Sequence, residues 1–285
     1  MAPEEATVNS DLVSLRNMKD APIVEIDDDV DAAGALVVNC FPSVGFVSSI
    51  VAHYLIDKLE LRLVGGVNHS KLPPMCLVQD GKPLPPLRFY TGEPICKLDK
   101  CDKIILIISE VKIENQIKMS LARSLIDWTV DSKSGISIMI DSFTKGDSEG
   151  HTILDDDNID TTMLGIGSTD SAIKMLKDIG LPLLKHGLVG GMTGVMLGES
   201  RRRGIDSLAI LAESNGGPMK GQPFPDARAA ARIIECLDGL LPAIHLDPEP
   251  LLEEAKRIEK QIRDMMAVNL NSSIDDHNGP ESMFG

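Results

Sequence analysis

Between residues 186 and 213 the chain reads HGLVGGMTGVMLGESRRRGIDSLAILAE, and this stretch holds most of the residue types that could do chemistry. Gly190, Gly191 and Gly194 stand where an apolar run, Gly187 to Val189, passes into a helical pattern. Glycines so placed either expose helix N-terminal amides to an anion, or let the chain turn sharply and the helix pack close on a sheet. The second purpose is favoured. No Lys-Ser/Thr completes a phosphate-binding loop, and no acidic ribose-binding residue follows at the usual distance. Arg201, Arg202 and Arg203 form the only concentrated basic cluster. It could hold an anion, but arginines near a helix C-terminus also complement the helix dipole, and that is the better reading.

The other reactive types are dispersed. The histidines, His53, His69, His151, His186, His245 and His277, include no two at metal-ligand spacing. There is no GxSxG elbow and no HExxH pattern, so His53 and His186 read as structural. The cysteines, Cys40, Cys76, Cys96, Cys101 and Cys236, are odd in number and form no CxxC pair. Cys40 and Cys236 read as small core residues in a reducing compartment. The acidic run at Asp27, Asp28, Asp29 and Asp31 reads as a solvated turn. Asp155, Asp156, Asp157 and Asp160 resemble part of a calcium loop, but the sixth position lacks glycine and Ile166 stands where a Glu is required.

The elements that must position these residues follow from hydrophobic patterning. Two continuous apolar runs, Ala35 to Cys40 and Ile104 to Ser109, predict strands buried on both faces, the second of them central. The first ends in FPSVGFVSS, with Ser43 placed to cap a helix from Val44 to about Leu59. That loop lies where α/β folds bind ligands; equally, Phe41, Val44 and Phe46 could plug the top of the core. Ile23 to Ile26 predicts a short edge strand, and Leu61 to Val67 predicts the strand that follows the helix. Met75 to Gln79 and Leu87 to Tyr90 predict an antiparallel excursion across the turn Asp80-Gly81. Helices are expected at about 115–130, at 170–178 with Thr169 or Asp170 as cap, and at 226–241. Further strands are expected at Ile136 to Ile140 and Met163 to Ile166. Strand, helix and strand across 187–211 predict a crossover over a parallel sheet, hence the α/β class. From Pro248 a final helix carries Leu251, Ala255, Ile258, Ile262 and Met265 at heptad-like spacing, a seam against another helix in the monomer or at a subunit interface.

Residues 1–22 then read as a polar N-terminal tail, 23–268 as a single α/β domain, and 269–285 as a flexible polar tail. That tail ends in Met283, Phe284 and Gly285, an apolar pair that reads as a docking peg. The formal net charge of −15 argues against a nucleic-acid partner, which needs a basic surface. No apolar run approaches a membrane span, and the N-terminus has no signal-peptide pattern, so an intracellular protein is expected.

Six segments in order carry a resemblance: FPSVGFVSSIVAHYLIDKL, LPP with the following DG, IILIISE, the glycine-rich stretch above, FPDARAAARIIECL and LLEEAKRIEKQI. Together they resemble the proteasome assembly chaperone family in its archaeal form. The resemblance implies a three-layer α/β/α sandwich like that of purine nucleoside phosphorylases, with a mainly parallel central sheet. It also implies a homo-oligomer, a cytoplasmic location, no cofactor, and a non-enzymatic role in binding the α-subunits of the 20S proteasome as assembly chaperone or activator. Some relatives end in a hydrophobic residue, a tyrosine and any last residue, which enter pockets of the proteasome α-ring. Met283, Phe284 and Gly285 match that signature except for the tyrosine hydroxyl, whose hydrogen bond is worth about 0.5–1.5 kcal/mol net. The rival expectation is a nucleoside- or nucleotide-binding enzyme of hydrolase or phosphorylase type. It would use the loops Phe41 to Ser48, Gly167 to Asp170 and Gly187 to Gly194, although a fold alone is weak warrant for chemistry.

Overall fold

The structure is a computed structural model that describes residues 21–92, 103–145, 152–154, 161–214, 224–240 and 246–253. Eight strands form one sheet: β1 (Ile23–Ile26), β2 (Leu36–Cys40), β3 (Arg62–Asn68), β6 (Arg88–Thr91), β7 (Ile104–Ile108), β8 (Ser137–Phe143), β10 (Met163–Gly167) and β12 (Ser207–Glu213), in the order β1-β3-β6-β7-β2-β8-β12-β10. The four central strands, β7, β2, β8 and β12, pair parallel, and the strands on both flanks pair antiparallel. Two short antiparallel pairs stand outside this sheet: the hairpin β4 (Leu77–Gln79) with β5 (Lys82–Leu84), and the non-local pair β9 (Thr152–Leu154) with β11 (Gly187–Val189).

The parallel strands are apolar on both faces because helices cover both. Ile105 and Ile107 of β7 join one cluster, and Ile104, Leu106 and Ile108 the other, as the period of two demands. On one face lie α1 (Val47–Lys58), α3 (Asp170–Asp178) and α5 (Ala227–Leu240), through Val51, Leu55, Leu176, Ile233 and Leu237. On the other lie α2 (Asn115–Asp131) and α4 (Gly191–Arg203), through Ile117, Leu121, Leu125, Met192 and Met196. The result is the expected three-layer α/β/α arrangement. Each fully buried Leu or Ile contributes about 1.5–3 kcal/mol relative to exposure, so the double-sided core supplies most of the stability.

Several local expectations hold and several change. Thr169 caps α3, its hydroxyl accepting from the Ala172 amide at 3.1 Å, and Asp226 caps α5 by accepting from the Ala229 amide at 2.9 Å. The helix after β2 begins at Val47 rather than Val44, since Gly45 and Phe46 both hold left-handed backbone, φ 66° and 52°. The partner of β4 is Lys82–Leu84, not Leu87 to Tyr90; proline is tolerated at Pro83 because the hairpin has free edges. The strand-helix-strand unit also differs. β11 pairs antiparallel with β9 in its own small sheet, so only β12 of the two enters the main sheet. The acidic turn is solvated as expected: Asp27 and Asp29 pair with Arg62 at 3.2 and 2.8 Å, and Asp31 pairs with Lys103.

Candidate functional site

The chain leaving β2 enters α1 on one face of the sheet, and the chain leaving its neighbour β7 enters α2 on the opposite face. Adjacent parallel strands whose connections diverge in this way open a crevice outside their carboxyl ends. Here the crevice has a volume of about 280 Å³. Its walls are Phe41 to Val44 after β2, Lys112, Ile113 and Lys118 after β7, and Gly191 and Met192 at the start of α4. Ser43 accepts from the Ser48 amide at 3.0 Å, and the Ser48 hydroxyl donates to the Phe41 carbonyl, which together fix the loop. Phe41 is buried and closes the core, whereas Phe46 is 43% exposed. The three-residue plug is therefore only partly formed, and one of its members points to solvent.

The glycine-rich stretch reaches the crevice with α4. A Cβ at Gly194 would fall within the contact radius of the Val189 carbonyl oxygen, so this glycine is required for the close packing of α4 on β11. Behind the first turn of α4, Thr193 Oγ1 donates to Asp141 Oδ2 at 2.6 Å, and the Ser142 amide donates to Asp141 Oδ1 at 2.8 Å. Burial pushes the Asp141 carboxyl up to about 6, and the bonds from Thr193 and Ser142 offset only part of that cost. Among the described residues no group of three His, Cys, Asp or Glu side chains could hold a metal ion.

A second polar cluster lies on the α1 side of the same sheet end. Arg88, 1% exposed, donates from Nη1 and Nη2 to the two carboxylate oxygens of Glu110 at 3.0 and 2.6 Å. Its Nε reaches Tyr90 Oη at 3.2 Å, and His53 Nε2 lies 3.0 Å from Glu110 Oε1. Burial alone would raise the Glu110 carboxyl; the bonds from His53 and Arg88, with the Arg88 charge, outweigh it and hold the carboxyl at about 2. A bidentate buried pair of this kind ties the start of β6 to the loop after β7. Patterning missed it. The signal available was an arginine between Leu87 and Phe89 in a strand otherwise apolar.

The arginine cluster behaves as the dipole reading requires, with partners of its own. Arg201 donates to the Ser168 carbonyl at 3.0 Å, Arg202 to Glu199, and Arg203 to Asp127 at 2.7 Å. Cys40 is buried and its thiol is pushed up by burial, as is Cys236, to about 11, which suits inert core thiols. Of the three loops the rival enzyme would use, Phe41 to Ser48 and Gly187 to Gly194 meet around the crevice. Gly167 to Asp170 does not: β10 runs antiparallel to β12, so its exit pairs with Leu208 at the opposite end of the sheet. That correction takes away a third of the imagined site. Met283, Phe284 and Gly285 lie outside the described residues, as do Asp155 to Asp160 and most of the heptad-like seam.

Comparison with known proteins adds the following. The PAC2 family matches residues 37–266, most of the chain. The crystal structure of PbaA from Pyrococcus furiosus, an archaeal homolog of proteasome-assembly chaperone, superposes with a TM-score of 0.73 at 27% identity, covering 90% of this chain and 96% of that one. PbaB of the same organism, an archaeal proteasome activator, gives a TM-score of 0.69 at 16% identity over 87% of this chain and 99% of its own. An uncharacterized protein of Methanocaldococcus jannaschii is 26% identical over 245 residues, 85% of this chain and 89% of that protein.

Proposed function

The chain belongs to the PAC2 family, and on that premise we propose that it is a non-enzymatic binding protein for the 20S proteasome, acting as assembly chaperone or activator. The observation that carries this reading is the near full-length likeness to PbaA, in sequence and in fold together. On this reading the chain works as a homo-oligomer in the cytoplasm. Met283, Phe284 and Gly285 enter pockets between α-subunits of the proteasome ring. One short apolar segment binds weakly, but several on one oligomer raise each other's effective concentration and give avidity. The polar residues 269–282 supply reach and tolerate a mismatch of symmetry between the two assemblies.

The test is a pull-down of purified 20S proteasome by the full-length chain and by a chain ending at Ser282, with peptidase activity read in parallel. Binding by the full chain that is lost on truncation supports the tail as anchor, and a concurrent loss of peptidase stimulation makes the protein an activator. Equal binding by both forms removes the tail from the account; no binding by either discards the proteasome reading.

A further inference from the structure

The two faces of the sheet are covered unequally. On one face α1 lies against β2, β7 and β8, α3 against β10 and β12, and α5 against β12. The buried core beneath them draws side chains from β2, β6, β7, β8 and β12, and none from β1 or β3. On the other face α2 extends to β1, and Val24, Ile26, Val64 and Val67 join its cluster. The flank made by β1 and β3 is thus closed on one side and, among the described residues, has no helix on the other.

The register defines what is bare. Ile23 stands opposite Asn68, Glu25 opposite Gly66, and Leu63 opposite Tyr90. Directly opposed residues share a face, and Tyr90 belongs to the cluster under α1, so this is the α1 side of the sheet. Glu25, Leu63, Gly66, Asn68 and Pro85 line one open groove of about 650 Å³, and Ile23 adjoins it across from Asn68. Ile23 is 59% exposed and Leu63 37%. An apolar strip on a sheet covered by helices elsewhere is half of a layer that lacks its other half.

The sequence holds a segment that fits it. Twenty residues precede Ala21, and they enter the fold at this flank, where Pro22 is buried and Ile23 opens β1. Within them Val8, Leu12, Leu15 and Met18 fall at i, i+4, i+7 and i+10, one face of a helix. Thr7 stands where an N-cap is needed, Lys19 complements the last turn, and Pro22 bars the helix from running on into β1. Two strands at about 4.8 Å spacing make a strip about as wide as one helix, 10–12 Å. A helix from Val8 to Lys19 is about 18 Å long, against about 23 Å for the whole of β3.

We propose that residues 8–19 form a helix that docks on the bare face of β1 and β3, with Leu12 and Leu15 covering Ile23 and Leu63, and so complete that helical layer. The short link through Asp20 and Ala21 holds the segment at an effective concentration of the order of millimolar, so a contact too weak to form between molecules is populated within one. A second copy fits less well. The rim carries Glu25, Asp27, Asp28 and Asp29 against Arg62, which pairs with Asp27 and Asp29. A two-fold contact would bring two such acidic rims together, whereas residues 8–19 bring Arg16 and Lys19 against the single Asp11. The docked helix belongs to the body of the chain and is independent of the proteasome reading.

The test is amide hydrogen exchange, read by mass spectrometry on the full-length chain and full-length variants. Residues 8–19 should exchange at least tenfold more slowly than an unstructured chain. Leu12→Ser with Leu15→Ser, which leaves the body of the fold untouched, should return that segment to coil rates and speed exchange in Ile23–Ile26 at least threefold. Leu63→Ser should do the same from the other side of the contact, and combining all three substitutions should add nothing further, as contact partners require. Val130→Ser, an exposed site on α2 across the sheet, should change neither region. A photoreactive benzoylphenylalanine in place of Leu15 should cross-link to the stretch Leu63–Asn68 or to Pro85 within the same chain. Coil-rate exchange of residues 8–19 in the unaltered chain overturns the inference, as does protection that ignores Leu63→Ser. Cross-links that join isotope-labelled to unlabelled chains assign the face to a second copy and overturn it as well.

Discussion

Replacing Asp141 by Asn removes a buried acid while keeping its shape. The amide oxygen can still accept from the Ser142 amide, and the Thr193 hydroxyl can rotate to accept from the new NH₂. Burial raises the carboxyl from its ordinary 3.8 to about 6 in the fold, so the folded protein binds a proton more tightly than the unfolded chain does. Stability from this group is therefore fully present below pH about 4 and is lost as pH rises through about 6. A gap of about two on the pH scale, at ~1.36 kcal/mol each, makes that loss about 3 kcal/mol. The Asn variant has no such loss. The difference in unfolding free energy between variant and parent should thus grow by about 3 kcal/mol from pH 4 to pH 6.5 and stay flat above it. Urea unfolding followed by fluorescence of Trp128, the sole tryptophan, packed edge-on against Phe89 with centroids 5.2 Å apart, reads this directly. Comparison at each pH cancels every other titration. A difference that is constant between pH 4 and pH 7.5 refutes the reasoning and means that Asp141 is compensated by a charge or solvent path.

Glu110→Gln leaves the Arg88 guanidinium buried without a counter-charge, and should cost about 3 kcal/mol at pH 7 by urea unfolding, the low end for a broken buried pair because one acceptor remains. The parent's advantage from this group is present above pH about 4.5 and is lost as pH falls through about 2, so the two proteins should converge in acid. Two glycines of α4 should respond with opposite sign. Gly194→Ala drives a Cβ into the Val189 carbonyl and should destabilise by about 1–3 kcal/mol through overpacking. Gly198→Ala, with nothing within 4 Å, should stabilise by about 0.5–1 kcal/mol through helix propensity; thermal unfolding of both against the parent checks the pair.

What patterning could and could not see divides along physical lines. IILIIS and ALVVNC were legible because a strand covered on both faces must be continuously apolar, and both became central strands. Thr169 was legible as a cap because its hydroxyl and the following helix are local partners. Strand β9 was not: Thr152, Ile153 and Leu154 lie in a polar connection, and three residues carry too little period to register. Strand β11 was read as a strand but set in the wrong sheet, since a side-chain period says nothing of which edge a strand joins. The crevice was half legible, because the loops at Phe41 to Ser48 and Gly187 to Gly194 were read as ligand-site candidates, while Lys112 and Lys118 reach it only through the folded β7–α2 loop, which no pattern singled out. The Arg88–Glu110 pair joins residues 22 apart in sequence whose proximity depends on an antiparallel register that no local pattern specifies. Met283, Phe284 and Gly285 were legible only as an apolar end to a polar segment.

The order of the central strands also sets a timetable for synthesis. Leu36 of β2 pairs with Ile104 of β7, 68 positions later, and Val37 on the other side with Ser137, a hundred positions later. At ~5–20 residues per second, the apolar LVVNC segment waits roughly 3–14 s after its own appearance for its first neighbour, and longer for its second. During that interval neither edge of the segment is paired. Helix α1 can form at once, and its Val51 and Leu55 are the first apolar surface able to shield one face of β2. The nascent chain is thereby most prone to wrong pairing between the emergence of β2 and that of β7, and substitutions that weaken α1 should lower soluble yield more than their cost to the finished fold would suggest.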